Sequence, residues 1–441
     1  MPDLENRVLE EIEFLDTKYN VGIHNLLAYV KHLKGQNEKS LESLKEAEDL
    51  IQRDHANQSD MRSLVTWGNY AWVCYHLGRQ FAEAQTYLDK VESTCEKLAS
   101  PFRYRMECPE MDCEEGWALL KCGKKNYERA KACFEKALEA DPENAEFSTG
   151  YAIITYRLDG FNTSTLHPLR QAVRLNPEDA YIKVLFALKL QDVGQEAEGE
   201  KYIEEALTNI SSQTYVFRYA AKFYRRKGSL DKALQLLKTA LQATPTSAFL
   251  HHQMGLCYRN QMIQIKKAAK WQPRGQDREN VDRMIRLAIF HFEFAVEQKP
   301  SFDIAYIHLA SMYSEVGNHR KAEDIYQKLL CTKPVEEETL QKIHFHYGQF
   351  QEFQKKSEVD AIKHYLKAIK IEKASYIRDK SINSLEKLAL RKLGRNASDL
   401  EGLSLLAFVY KSKGKMNEAL EFYEQALRLS ADFQDSVGHD P

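Results

Sequence analysis

One spacing rule constrains this chain more than any other feature. Ala221, Tyr224, Gly228, Ala233, Leu237, Ala240 and Pro245 stand at offsets eight, eleven, fifteen, twenty, twenty-four, twenty-seven and thirty-two of a single unit. That is the tetratricopeptide signature. Small residues let two helices cross closely, and the proline stops the second helix. Ala310, Tyr313, Gly317, Ala322, Tyr326, Leu329 and Pro334 repeat the pattern, with Leu at offset twenty-seven. Ala407, Tyr410, Gly414, Ala419, Tyr423 and Ala426 repeat it again. Weaker units are marked by Gly35, Gly78, Gly123, Gly160 and Gly194. A unit at Gly255 is split by the polar insert QIKKAAKWQPRGQDRENVD, and another carries Ala361, Tyr365 and Ala368. About ten helix pairs are expected, with an extra helix and connector over Tyr376–Asp399 and no strand pattern. The fold class is all-α, a tetratricopeptide-repeat superhelical solenoid. A solenoid grows by stacking units, so 441 residues need not mean several globular domains.

The register also says which residues face inward. Offsets two, five, nine, twelve and thirteen of each first helix line the hollow side. In TYVFRYAAKFYRRKG these are Tyr215, Arg218, Lys222, Arg225 and Arg226, while Phe217, Ala221 and Tyr224 turn to the core. Neighbouring repeats add Trp117, Lys121, Arg157, Tyr181, His252 and Arg259. The Gly317 repeat offers Ile304, Ile307, Ser311, Ser314 and Glu315 instead, so the basic lining is central. Net charge is −2, which makes the stripe a local feature. Lys and Arg neutralise phosphates, and Tyr and Trp stack on unpaired bases. Single-stranded RNA therefore suits the groove better than a duplex. On physical grounds alone an acidic peptide suits it equally well.

Other function classes find little support. There is no Walker A loop and no Gly-x-Ser-x-Gly, and His344 and His346 are poorly spaced for joint metal ligation on a helix. No enzyme activity, cofactor or metal is expected. The eight cysteines form no Cys-x-x-Cys pair and read as mostly small core residues of a cytoplasmic protein. The N-terminus, MPDLENRVLEEIEFL, is amphipathic and acidic, with no signal peptide and no membrane span.

The runs IHNLLAYVKHLKGQ, SLVTWGNYAWV, ECPEMDCEEGWALLKCG, SSQTYVFRYAAKFYRRKG and TPTSAFLHHQMGLCYRNQMIQIKKA are long and idiosyncratic. Through them essentially the whole chain resembles the interferon-induced proteins with tetratricopeptide repeats, and most of all their cap-binding branch. The resemblance implies an antiviral effector that holds the 5′ end of foreign RNA in a central basic tunnel. It implies a preference for capped ends lacking ribose 2′-O-methylation, and inhibition of translation by sequestering that RNA. The 2′-methyl is then excluded sterically by a site shaped for the hydroxyl.

Carried over residue by residue, the resemblance puts Trp117 on the cap guanine. Leu15 and Ile153 become apolar walls, and Glu146 a carboxylate at the guanine edge. It places Arg7, Glu11, Thr17, Lys121, Tyr127 and Arg157 around the phosphates. Tyr181, Arg218, Lys222, Arg225, His252 and Gln253 would touch the first nucleotides. Tyr215, Arg226 and Arg259 come from the register alone. Tyr423 and Leu427 fit a Tyr-x-x-x-Leu association motif, implying a homo-oligomer or a complex with a paralogue. Residues 1–210 are then expected to form the 5′-end pocket, 211–335 the basic channel with the insert, and 336–441 the association surface.

Three departures from the family pattern bear on function. The chain starts later than its relatives do, and FNTSTLHPLR after Gly160 is shorter than in close relatives. Glu11 stands where a triphosphate-binding member carries glutamine. A carboxylate at ~4 Å from a phosphate costs about 4 kcal/mol at an effective dielectric of ~20. Capped RNA is therefore expected to outcompete 5′-triphosphate RNA. The alternative reading is a protein–protein scaffold that does not bind RNA.

Overall fold

The computed structural model describes residues 4, 5, 8, 9, 12, 21–78, 81–158, 165–208, 214–331 and 336–437, with side chains to residue 430. Its secondary structure is helical throughout the described residues. The chain divides into two compact units, Met1–Pro245 and Thr246–Pro441.

In the first unit, successive antiparallel pairs follow the sequence register: Val21–Leu33 with Asn37–Asp54, Leu64–His76 with Phe81–Lys97, Pro109–Lys121 with Tyr127–Ala140, Ala145–Leu158 with Leu166–Leu175, Ala180–Asp192 with Glu196–Thr208, and Thr214–Lys227 with Leu230–Ala243. One short helix, Ser59–Arg62, falls between the first two pairs. The second unit holds Ala248–Ala268 with Gln276–Gln298, Asp303–Glu315 with His319–Cys331, Glu337–Phe353 with Glu358–Lys370, a single helix Tyr376–Arg395, and Leu400–Ser412 with Met416–Val437.

Offset fifteen explains itself in the backbone. Gly35, Gly78, Gly123, Gly194, Gly228, Gly317 and Gly414 all have φ between 67° and 105°. A helix that must reverse within a few residues ends in the left-handed region, which glycine reaches without a Cβ penalty. Offset eight explains itself in the packing. A Cβ built on Gly255 would stand 2.6 Å from the Phe292 ring, and one on Gly116 would stand 3.0 Å from Phe134. The aromatic at offset twenty-four thus sits directly on the backbone of a first helix. Gly255→Ala is expected to destabilise the second unit by about 1–3 kcal/mol through overpacking, despite the better helix propensity of alanine. Thermal melting checks this, and an unchanged or raised midpoint would show that Phe292 moves aside without cost.

The stripe helix partly departs from its register. Ala221 and Tyr224 are buried as expected, but Phe217 is only partly so, and Val216, Ala220 and Phe223 are buried with them. Phe223 reaches Gly199 on Glu196–Thr208, the second helix of the preceding pair, so the core face is wider than the signature positions. The polar insert lengthens both helices of its pair to 21 and 23 residues, leaving only 269–275 as a turn. No helix of the described residues is long and apolar enough to cross a membrane.

Candidate functional site

Within the first unit, the Thr214–Lys227 helix lies against Ala180–Asp192, which in turn touches Ala145–Leu158. This stacking gathers Tyr181, Tyr215, Tyr219, Arg157 and the basic stripe. The Tyr181 ring meets Tyr219 at 5.6 Å and Tyr215 at 6.5 Å, both edge-on. The Arg218 guanidinium lies 5.9 Å from the Tyr215 ring and 5.5 Å from Tyr219, and Lys222 Nζ lies 5.9 Å from Tyr219. Burial raises the Tyr181 hydroxyl well above its ordinary value; Arg157 and Tyr219 share hydrogen bonds with it.

Lys222 stands at the centre of the cations. Burial, then Arg226, Arg218 and Arg225, push its ammonium down to about 8, against a small opposing pull from Asp192. Three guanidinium groups that depress a fourth cation make a site short of negative charge, which is what an anion relieves. Arg226 is exposed and pairs with Asp192 at 2.8 Å.

Trp117 lies on Pro109–Lys121, partly buried, with its ring edge-on to Phe134 at 5.3 Å and Lys121 Nζ 5.8 Å from its centroid. Ile153 is buried, and Tyr127 opens the following helix. Glu146 is buried and accepts from Arg62 Nη2 at 2.8 Å. Burial opposes the charge of Arg62, and Glu146 more than restores it. Beside this pair lies Glu114, whose carboxyl is pushed up to about 7, first by burial and then by Glu146. Leu15, Arg7, Glu11 and Thr17 lie outside the described residues.

The second unit contains the remaining expected contacts. His252 is buried, with Nε2 bonded to His308 Nδ1 at 2.9 Å and Phe302 against its ring. Gln253 is partly buried on the same helix. Arg259 lines a cavity of about 610 Å³ with Trp271, Ser311, Tyr326, His346 and Phe350. Tyr423 is partly buried, whereas Leu427 on the same helix is 70% exposed, along with Leu420 and Met416.

Sequence reasoning missed Tyr219, Asp192, Arg62 and Glu114. Tyr219 occupies an offset that the inner-face rule omits. Asp192 and Arg62 act on partners 34 and 84 residues away. Glu114 alone had a local signal, three residues before Trp117 on one helix face.

Tetratricopeptide repeat family models match residues 122–144, 305–339 and 400–433. The chain is 75% identical over 448 residues to the antiviral innate immune response effector IFIT1 of Homo sapiens, covering 100% of this chain and 94% of that protein. It belongs to the interferon-induced proteins with tetratricopeptide repeats. Solved structures of family members superpose closely. A human IFIT1 dimer with m7Gppp-AAAA matches with a TM-score of 0.87 at 74% identity, and one with PPP-AAAA with 0.84 at 71%, each covering 98% of this chain and 94% of that one. A monomeric IFIT1 mutant with Gppp-AAAA matches with 0.88 at 75% identity, over 97% and 94%. The family fold, a tetratricopeptide-repeat solenoid, is therefore the fold of this chain.

Proposed function

We propose that this family member is an antiviral RNA-binding protein that takes the 5′ end of foreign RNA. It favours capped ends lacking 2′-O-methylation, binds 5′-triphosphate ends more weakly, and withholds the RNA from translation without any chemical step. The observation that carries this reading is Lys222 held near a pKa of 8 among Arg218, Arg225 and Arg226. A polyanion relieves the repulsion among these cations, and Tyr181, Tyr215 and Tyr219 beside them present faces and edges to unpaired bases. RNA is favoured over an acidic peptide because the cations are interleaved with aromatic rings, and because the relatives of known structure hold capped and triphosphate RNA.

On this reading Trp117 stacks on the cap guanine, Ile153 and Leu15 wall the pocket, and Glu146 meets the guanine edge. Lys121, Tyr127, Arg157, Arg7, Glu11 and Thr17 surround the phosphates. By the resemblance His252 and Gln253 contact the first nucleotides, and the repeat register adds Arg259 to the inner face. Residues 1–210, 211–335 and 336–441 divide the labour between pocket, channel and association. Leu427, exposed beside Tyr423 with Leu420 and Met416, supports self-association or pairing with a paralogue, since such an apolar face gains by being covered.

The test is a titration of the full chain with three RNAs of one sequence: capped, capped with 2′-O-methylation, and 5′-triphosphate. The capped unmethylated form is expected to bind tightest. Tighter triphosphate binding would overturn the preference, and no binding to any of them would favour a protein scaffold.

A further inference from the structure

We propose that Glu114 is the counter-charge by which this pocket distinguishes an N7-methylated guanine from an unmethylated one. The proposal deepens the reading of Trp117 and Glu146 as guanine contacts and rests on it.

The geometry supplies two carboxylates and one cation. Arg62 gives Nη2 to Glu146 at 2.8 Å, and both side chains are close to nine-tenths buried or more. Arg62 Nε is also buried and makes no hydrogen bond. Glu114 lies one turn before Trp117 on Pro109–Lys121, on the same face. From Val21–Leu33 it meets the Asn25 amide, which hydrogen-bonds its carboxyl. Gly22 also lies there, and a Cβ on it would come within 2.8 Å of Glu114 Oε1, so the carboxyl fills that space. From Ala145–Leu158 it faces Glu146, and from Ser59–Arg62 it faces Arg62. The neighbouring Cys113 thiol is itself pushed well up by burial. One guanidinium thus serves two carboxylates, and Glu114 is left short of positive charge.

N7-methylation gives the guanine ring a delocalised positive charge and leaves its Watson–Crick edge in place. Stacked on Trp117, that charge is favoured by the indole face and supplies what Glu114 lacks. An unmethylated guanine supplies nothing. The sign follows. Glu114 titrates near 7, and a bound cation favours its ionised form. Methylated-cap binding therefore releases a proton, and the advantage of the methylated over the unmethylated cap grows as pH rises through 7.

Affinities for m7Gppp- and Gppp-capped RNA are measured at pH 6, 7 and 8 for the wild type and Glu114→Gln. The affinity ratio of the two caps in the wild type, taken relative to the variant, is expected to rise about fivefold across this range, the effect of a carboxyl moving from about 7 to about one unit lower on binding. In the variant only the N1 titration of the base remains in the ratio, so the wild-type ratio is expected to rise several-fold more than the variant's. Methylation also acidifies N1 of the base, but that titration belongs to the RNA and is common to both proteins. Proton uptake by Lys222 accompanies any phosphorylated end and cancels in the ratio. Calorimetry of the wild type in two buffers of different ionisation enthalpy gives an independent reading. At pH 6, where N1 of both bases stays protonated, more protons released with the methylated cap supports the proposal, and equal release overturns it whether or not the variant folds. A ratio with the same pH course in both proteins also overturns it. If neither cap binds the wild type, the pocket reading itself fails and the proposal falls with it.

Discussion

Trp117→Ala is expected to weaken binding of capped RNA by about ten- to a hundredfold, while 5′-triphosphate RNA changes by only about twofold. Stacking of one base on an aromatic side chain contributes roughly 1–3 kcal/mol, and each 1.4 kcal/mol is about tenfold. Only the capped end carries the extra guanine, so only that end loses the contact. The control lies in the packing. Trp117 sits edge-on to Phe134, itself fully buried, so alanine also uncovers part of the core. Trp117→Phe keeps an aromatic ring against Phe134 and is expected to retain part of the cap affinity. Equal losses on capped and triphosphate RNA would make Trp117 a packing residue and remove it from the guanine site.

Arg62→Leu is expected to have the largest effect on stability. Removing one partner of a buried ion pair costs about 3–5 kcal/mol, because the other charge stays buried. At about 2–4 °C per kcal/mol for a domain of this size, the first unit should melt roughly 6–20 °C lower. Here two carboxylates lose their shared cation. Glu114 is raised above its ordinary value, so its ionised form opposes folding, and this penalty grows as pH rises towards 7. The variant's deficit should therefore be greatest above pH 7 and shrink as the pH falls and Glu114 is protonated. Adding Glu146→Leu should recover part of the loss by turning the pair apolar. Calorimetric melting from pH 5 to 8 measures both effects. A deficit independent of pH would mean that Arg62 does not act on Glu114.

The repeat frame was legible because each signature residue has a local task. Gly228 must reach a positive φ within its own turn, and Gly255 must admit Phe292 from the other helix of its own pair. Such requirements are written at fixed offsets. The frame also puts the basic stripe and Trp117 on first helices, as the structure has them. Its exceptions have physical reasons too. Lys356 takes φ of 57° near a turn where the signature would offer glycine, and the Gly160 turn lies outside the described residues. The electrostatics of the pocket were not legible in the same way. Arg62 comes from a one-turn helix outside the repeat frame, and its partner is 84 residues distant. Asp192 belongs to the preceding repeat and pairs with Arg226. No offset rule encodes a contact that depends on how one repeat is rotated against the next.

The insert at Gly255 shows how such a chain can change length over evolutionary time. Ala248–Ala268 grows at its C-terminal end and Gln276–Gln298 at its N-terminal end, each by about two turns relative to the neighbouring pairs. Because both grow away from the signature positions, Gly255 and Phe292 keep their contact unchanged. Growth on one side alone would leave an overhanging helix with an uncovered face. Here Met262, Val281 and Met284 are buried together instead. The added turns of this pair are thus covered because they came as matched halves, like rungs added to both rails of a ladder.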